Sequence, residues 1–283
     1  SQLGTSIPRR GLSLYDAVSS LSSSLPKKKT IIIIDDADKI IDYDRLMTIL
    51  TRWNETKDKK ISFIVISNSV YFLNKMDVST RSRIQDYVYY DWLNADEIRK
   101  ILEMRASRAL YREAYSDSVL GLLSALTTKK RGDAKLAIAS LKVSAYMAEE
   151  SGSGKITEEI VRESVRIAEE ELEEEAVRKL PPHQILLLYS LAKLIDEEKE
   201  DHVSLGKVYS KYVNVCLSNR ESPVKKRQFY NLVSYLQSSG FIFSIKGKGK
   251  RLYLALNVPK GIVFKVFRVN YLGESETLDK WVL

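Results

Sequence analysis

The sequence predicts a mixed chain in three parts: a partial α/β unit with a parallel sheet, an all-helical segment, and a C-terminal unit of helices closed by a basic hairpin. Three observations carry this. Two apolar runs, Thr30–Ile34 and Ile61–Ile66, each end in polar residues and flank a helical stretch. Residues 93–179 keep helical spacing, with no alternating pattern among them. Residues 180–283 carry 16 basic and 9 acidic side chains, against 29 and 28 in residues 1–179.

Ser1 to Gly11 reads as a loop that begins abruptly, as though cut from something longer. Ser13-Leu14-Tyr15-Asp16 has the form of a capping box, and a helix follows to about Leu25. Pro26 and three lysines end it. Ile31–Ile34 is a continuous β-branched run, which suits a strand buried on both faces. It leads directly into Asp35, Asp36 and Asp38. In open α/β sheets, ligands bind at the C-terminal edge of the strands. Carboxylates there fit the Walker B pattern, in which the first Asp, here Asp35, helps hold Mg²⁺ on a nucleotide. They equally fit an acidic turn after a core strand. Leu46, Ile49, Leu50 and Trp53 have helical spacing, so Asp44 to Trp53 is a helix. After the basic loop Lys57–Lys60 comes the second strand, ending at Ser67-Asn68. Strand, helix, strand makes a βαβ unit and places Asn68 beside Asp35 and Asp36. A neutral side chain in that position orients water or touches a γ-phosphate. As a turn residue or helix cap, it would do neither.

Asp77 to Ile84 brings Arg81 and Arg83 towards the same sheet edge, either as a catalytic arginine for a neighbouring subunit's nucleotide or as solvated surface residues. Tyr87 to Trp92 reads as a third strand. Asn94-Ala95-Asp96-Glu97 caps a helix to about Tyr111. Ser116 starts the next, Gly132-Asp133-Ala134-Lys135 opens another to about Glu150, and Thr157 caps a third. Six glutamates in the seven residues Glu169–Glu175 read as a solvated face joining two domains. Ser151-Gly152-Ser153-Gly154-Lys155-Ile156-Thr157 looks like a phosphate loop but lacks its spacing and its preceding strand, and reads as an interhelical turn.

Pro181-Pro182 marks a boundary. Helices follow over about His183–Glu197 and Ser204–Cys216. A third begins at Ser222-Pro223, with proline in its first turn. On that helix Phe229, Leu232, Val233 and Leu236 form an apolar face, and Lys225, Lys226, Arg227 and Gln228 crowd the first turn. Basic residues there oppose the helix dipole, so their placement has another reason. Phe241–Ile245 and Leu252–Leu256 are short strands around Lys246, Lys248, Lys250 and Arg251. This is a winged helix, a unit that serves either DNA or protein docking. From Ser222 to Gly273 there is no Asp or Glu against ten Lys or Arg, which favours a polyanion. The expected groove contacts are Lys225, Lys226, Arg227, Gln228 and Tyr230. The expected wing contacts are Lys246, Lys248, Lys250 and Arg251.

The whole chain has 283 residues and net charge +8. No apolar run approaches the roughly 20 residues that cross a bilayer, and the N-terminus lacks a signal-peptide layout. Its one cysteine, Cys216, excludes an internal disulfide and reads as a buried thiol in a reducing compartment. With only His183 and His202 beside it, a zinc site is not expected. The domain boundaries read as 1–92, 93–179 and 180–283.

Taken together, the chain resembles archaeal replication initiators of the origin-recognition-complex/cell-division-control type, which are AAA+ proteins. Ile31–Asp36 is similar to their Walker B strand, Ile66-Ser67-Asn68 to sensor 1, Asp77–Ile84 to the arginine-finger box, and Gly132-Asp133-Ala134-Lys135 to sensor 2. Leu3-Gly4 through Ser13 looks like the segment just before Walker B. The resemblance implies a partial AAA+ sheet, a helical lid and a winged helix. It also implies ATP or ADP with Mg²⁺ held through Asp35, Asp36, Asn68 and Lys135, and catalytic roles for Asp36, Asn68 and Arg81. The implied partners are origin duplex DNA, other initiator subunits and a replicative helicase, in a cytoplasmic, nucleoid-associated setting without a membrane. The departures are specific. The chain contains no phosphate loop, Asp36 stands where the family has Glu, Val78-Ser79 follow Asp77 where it has Pro-Arg, and Lys135 replaces Arg. Lysine keeps the charge and loses the bidentate fork. These changes count against efficient hydrolysis and leave DNA binding untouched. The alternative is a winged-helix transcription regulator with a degenerate ATPase domain.

Overall fold

β-Branched residues fit a pleated surface, and Thr30–Ile34 and Ile61–Val65 form strands β1 and β2 of a two-stranded parallel sheet. The structure is a computed structural model and describes residues 13–26, 29–40, 43–57, 60–68, 73, 76–130, 132–247 and 251–273. Thr30 pairs with Ile61 and Ile34 with Val65. Pairing continues past the strand ends. Ile66 donates its N–H to the Ile34 carbonyl at 2.8 Å, and Ala37 donates to the Ile66 carbonyl at 2.9 Å.

Helices α1 (Leu14–Ser24), α2 (Tyr43–Thr51) and α3 (Trp53–Thr56) pack on this sheet. Val18, Met47, Leu50 and Trp53 meet Ile32, Ile34, Phe63 and Val65 in one core. The expectation of a strand buried on both faces is corrected here. Burial alternates along β1 and β2, leaving Ile31, Ile33, Ile64 and Ile66 exposed by 65, 63, 51 and 43 %. Among the described residues the helices cover one face only. The expected third strand is also corrected. Residues 84–94 have no regular structure, and Tyr89, Tyr90 and Trp92 stand out into solvent. Aromatic residues favour extended pairing only where a neighbouring strand supplies packing, and among the described residues none pairs with this segment. Tyr87 instead donates its hydroxyl to the Arg81 carbonyl at 3.1 Å.

The chain divides into two compact units, Ser1–Tyr90 and Asp91–Leu283. The second begins with four helices: α5 (Ala95–Ala109), α6 (Asp117–Thr128), α7 (Ala134–Glu150) and α8 (Glu158–Arg178), after α4 (Val78–Arg81) in the first unit. Ile98, Leu102, Leu120, Leu123, Ala137 and Val161 form their core. Residues 151–157 turn between α7 and α8, with Gly152 and Gly154 at φ of 70° and 61°. Next come α9 (Pro182–Glu198), α10 (Leu205–Ser218) and α11 (Lys226–Ser238). They are followed by an antiparallel hairpin of β4 (Ile242–Lys246) and β5 (Leu252–Leu256). A two-residue strand, β3 (Val203–Ser204), pairs with the other edge of β5, giving the order β3-β5-β4. α12 (Lys260–Phe267) closes a core built on Leu186, Leu191, Tyr212, Phe229 and Leu236.

The acidic run of α8 is not wholly a solvated face. Glu174 is only 8 % exposed and pairs with Arg178 on its own helix. It also accepts from the Lys265 ammonium of α12 at 2.7 Å. α11 likewise starts later than Pro223. Tyr212 accepts from the Val224 N–H at 3.3 Å and Tyr209 donates to the Val224 carbonyl at 3.4 Å. These bonds tie the residue before Lys225 to α10 and out of the helix.

Candidate nucleic-acid interface

The first turn of α11 is built by contrast between its two faces. Phe229, Val233 and Leu236 are buried. Phe229 sits edge-on to Tyr209 at 4.9 Å and against Tyr212 at 5.3 Å. That anchor leaves Lys225, Lys226, Arg227, Gln228 and Tyr230 exposed at the helix start. Lys225 occupies the N-cap without a side-chain bond, and no acid stands in the first turn. Lys226 places its ammonium 5.7 Å from the Tyr209 ring centre. Tyr212, buried beneath this turn, hydrogen-bonds His183 Nδ1 at 2.8 Å. Burial raises its phenol well above the usual range, so it stays protonated while it holds α10, α9 and Val224 together.

The hairpin brings the second basic group. Lys246 pairs with Leu252 in register, and Gly247 donates to the Arg251 carbonyl at 2.9 Å. Lys246 and Arg251 are both exposed. Lys248 and Lys250 lie outside the described residues. Lys226 and Arg251 thus meet on one face at a shared cleft, with Arg227 and Lys246 exposed on the same two elements; cations on these elements suit a phosphate backbone, and Gln228 and Tyr230 are exposed for base edges. Sequence reasoning missed the other wall of this face. His202, Ser204 and Gly206 share a cleft with Lys226, Tyr230 and Arg251. A two-residue strand leaves no periodicity to read, and the one available signal was the glycine in the first turn of α10.

The sheet edge of the first unit also assembles as the spacing predicts. Asn68 donates its amide to Asp36 at 2.9 Å and its N–H to Asp38 at 3.0 Å. Asp36 adopts a left-handed conformation, φ 51°, and donates its N–H to Asp35 at 2.8 Å. Asp35 is exposed at the end of β1. Arg81 is turned inward, half-buried, donating to the Met76 carbonyl at 3.2 Å. Arg83 pairs with Glu55. Hydrogen bonds from the Thr80 hydroxyl and N–H hold the Asp77 carboxyl far below the usual carboxylate range. Lys135 belongs to the second unit, where its ammonium meets Glu175 of α8 at 3.0 Å. Among the described residues no cluster of three or more His, Cys, Asp or Glu is placed to hold a metal by itself. The oxygen donors of Asp35 and Asp36 fit a magnesium ion completed by water and phosphate, the usual habit of that ion.

Two family profiles match the second unit. Residues 99–166 match the Cdc6 AAA+ ATPase-type lid domain, and residues 175–266 match the CDC6 C-terminal winged helix domain. The ORC1-type DNA replication protein of Thermococcus kodakarensis is 31 % identical over 275 residues, covering 94 % of this chain and 66 % of that protein. That of Pyrococcus horikoshii is 31 % identical over 280 residues, covering 95 % and 67 %. The chain thus spans about two thirds of the length of these relatives. Among solved structures, the Aeropyrum pernix ORC1 protein in complex with DNA matches with a TM-score of 0.73 at 24 % identity, covering 96 % of this chain and 73 % of that one. The Aeropyrum pernix ORC2 protein, solved as ADPNP–ADP complexes, matches at 0.54 with 21 % identity, covering 96 % and 74 %. At those identities the structural matches establish the fold: a partial parallel sheet, a helical lid and a winged helix.

Proposed function

The chain belongs to the ORC1-type DNA replication protein family, and from that premise we propose that it binds origin duplex DNA and acts in replication initiation. The observation that carries this is the exposure of Lys226 and Arg227 on the first turn of α11 and of Lys246 and Arg251 at the base of the hairpin, within a segment, Ser222 to Gly273, that holds no Asp or Glu. Helix α11 enters the major groove with Gln228 and Tyr230 at base edges, and the hairpin follows the backbone. The solved Aeropyrum pernix ORC1 protein in complex with DNA supports the same use of the fold.

Nucleotide belongs to the reading as a regulator. Asp35 and Asp36 would supply oxygen ligands to a magnesium ion carried by the nucleotide, Asn68 lies at hydrogen-bond distance from Asp36, and Lys135, paired with Glu175, is the cation of the lid. Arg81 would have to leave the Met76 carbonyl before it could serve a neighbouring subunit. Other initiator subunits and a replicative helicase are the protein partners of this reading.

The test is fluorescence anisotropy of the full chain on origin-derived and random duplexes across a salt series. Tight binding with a steep salt slope, tighter on origin DNA, is the expected result. Each phosphate contact contributes about 0.9 to the slope. No binding at low salt would overturn the reading and turn the winged helix to protein docking.

A further inference from the structure

Helix α5 carries apolar residues on two sides, and its own core uses one of them. Ile98, Leu102 and Ala106 are fully buried in the core shared with α6, α7 and α8. Ile101 and Met104 point elsewhere. Met104 is 43 % exposed, and Ile101, half-buried, belongs to none of the hydrophobic cores of the described residues. At about 3.6 residues per turn, positions 100, 101, 104, 105 and 108 fall on one side of a helix. The apolar pair is therefore flanked by Lys100, Arg105 and Arg108, all three exposed.

The charges on this side are not balanced from within. Glu97 accepts from the Asn94 N–H at 2.9 Å as part of the capping box, and Glu103 pairs with Arg99 at 2.9 Å. Asp96 stands in the first turn, where it suits the helix dipole. Among the described residues Lys100, Arg105 and Arg108 have no ion-pair partner. The dipole accounts for Arg108, in the last turn. It does not account for Lys100 and Arg105, nearer the middle. An apolar strip bordered by free charges is the layout of a helix that pairs with another helix, the strip giving contact area and the borders choosing the partner.

We propose that this side of α5 docks an acidic amphipathic helix of another protein, whose apolar stripe covers Ile101 and Met104 and whose carboxylates meet Lys100, Arg105 and Arg108. Charge complementarity selects the occupant. A second copy using the same face would set cation against cation. A nucleic acid would satisfy the cations but lay phosphates over the apolar pair. An apolar stripe bordered by carboxylates satisfies both parts of the face. Nothing here depends on DNA binding by α11, which is a separate element of the same unit.

The probe is a fluorescein-labelled, helix-stapled peptide of about three heptads, with Leu at the a and d positions and Glu at the flanking ones. Its control has the same composition with the Leu positions scrambled. Anisotropy is read on the full chain at low and physiological salt, for wild type, Met104→Gln and the double variant Lys100→Glu with Arg108→Glu. Wild type is expected to bind the patterned peptide at least about tenfold more tightly than the scrambled one, and more tightly at low salt. Met104→Gln should bind about tenfold more weakly with the salt dependence kept. The double variant should lose both affinity and salt dependence, and should bind instead a peptide with Lys in place of Glu. That reversal distinguishes a changed face from an unfolded lid. Equal binding of patterned and scrambled peptides would overturn the proposal, as would variants that bind like wild type. It would also fall if the double variant lost binding to a single-stranded oligonucleotide of the same charge while keeping the peptide, or if light scattering showed a wild-type dimer that the double variant abolished.

Discussion

Asp77 shows how far one exposed carboxylate can be tuned. It caps α4 by accepting from the Thr80 N–H at 2.9 Å and the Thr80 hydroxyl at 2.6 Å, and these bonds lower its pKa from the ordinary 3.8. A lowered value means that the unfolded chain takes up the proton first. The stability contributed is complete above 3.8 and is lost as pH falls below it. Asp77→Asn keeps a capping oxygen and should flatten the acid limb of the first unit's melting curve; an unchanged limb would remove Asp77 from that account. Glu174 behaves differently, because it is buried between Arg178 and Lys265. Glu174→Gln leaves both cations short of their carboxylate. It should destabilise the second unit by about 2 kcal/mol, read by chemical denaturation. The sequence pattern placed Asn68 beside the Asp pair because a strand, helix, strand unit runs its two strands parallel and ends both at one sheet edge. It could not show Arg81 turned inward, because that depends on where the Met76 carbonyl falls.

At the level of elements, caps were the most legible features. Ser13 and Asn94 form capping boxes, and Ser116, Asp133 and Thr157 each accept from their own first turns. The signal and the structure there are both local. The start of α11 was misread because Pro223 is a good first-turn residue in isolation, while the Tyr212 and Tyr209 hydroxyls that displace the helix start are distant in sequence. Tyr212→Phe removes one of those bonds and the partner of His183, and should loosen the first turn of α11. The expected signature is weaker duplex binding with most of the melting temperature retained; undiminished binding would show that the turn needs no such anchor. Gln228→Ala tests the same helix from its outer side. It should blur the preference between origin and random duplex by about 1–3 kcal/mol, measured as the affinity ratio, if Gln228 meets a base edge. The third strand failed for a matching reason. Tyr87 to Trp92 has strand composition, and a strand exists only with a neighbour.

Over the whole molecule, the four lid helices and the winged helix lie within one compact unit, Asp91–Leu283, and the Glu174–Lys265 pair links them. The link was not legible because it runs through Glu174 and Lys265, which are far apart in sequence and ordinary in type. Two units with separate cores should unfold in two steps. The first unit should go earlier, having fewer buried side chains among the described residues. A single two-state transition in calorimetry would contradict that division. The side of its sheet that the described residues leave uncovered has a practical consequence as well. Ile31, Ile33, Ile64 and Ile66 form a greasy stripe in contact with water. Such a stripe should brighten an environment-sensitive dye such as ANS in the native protein, before any denaturant is added. It should also make the protein's colloidal behaviour, more than its folding free energy, the limit on how concentrated a solution can be kept clear.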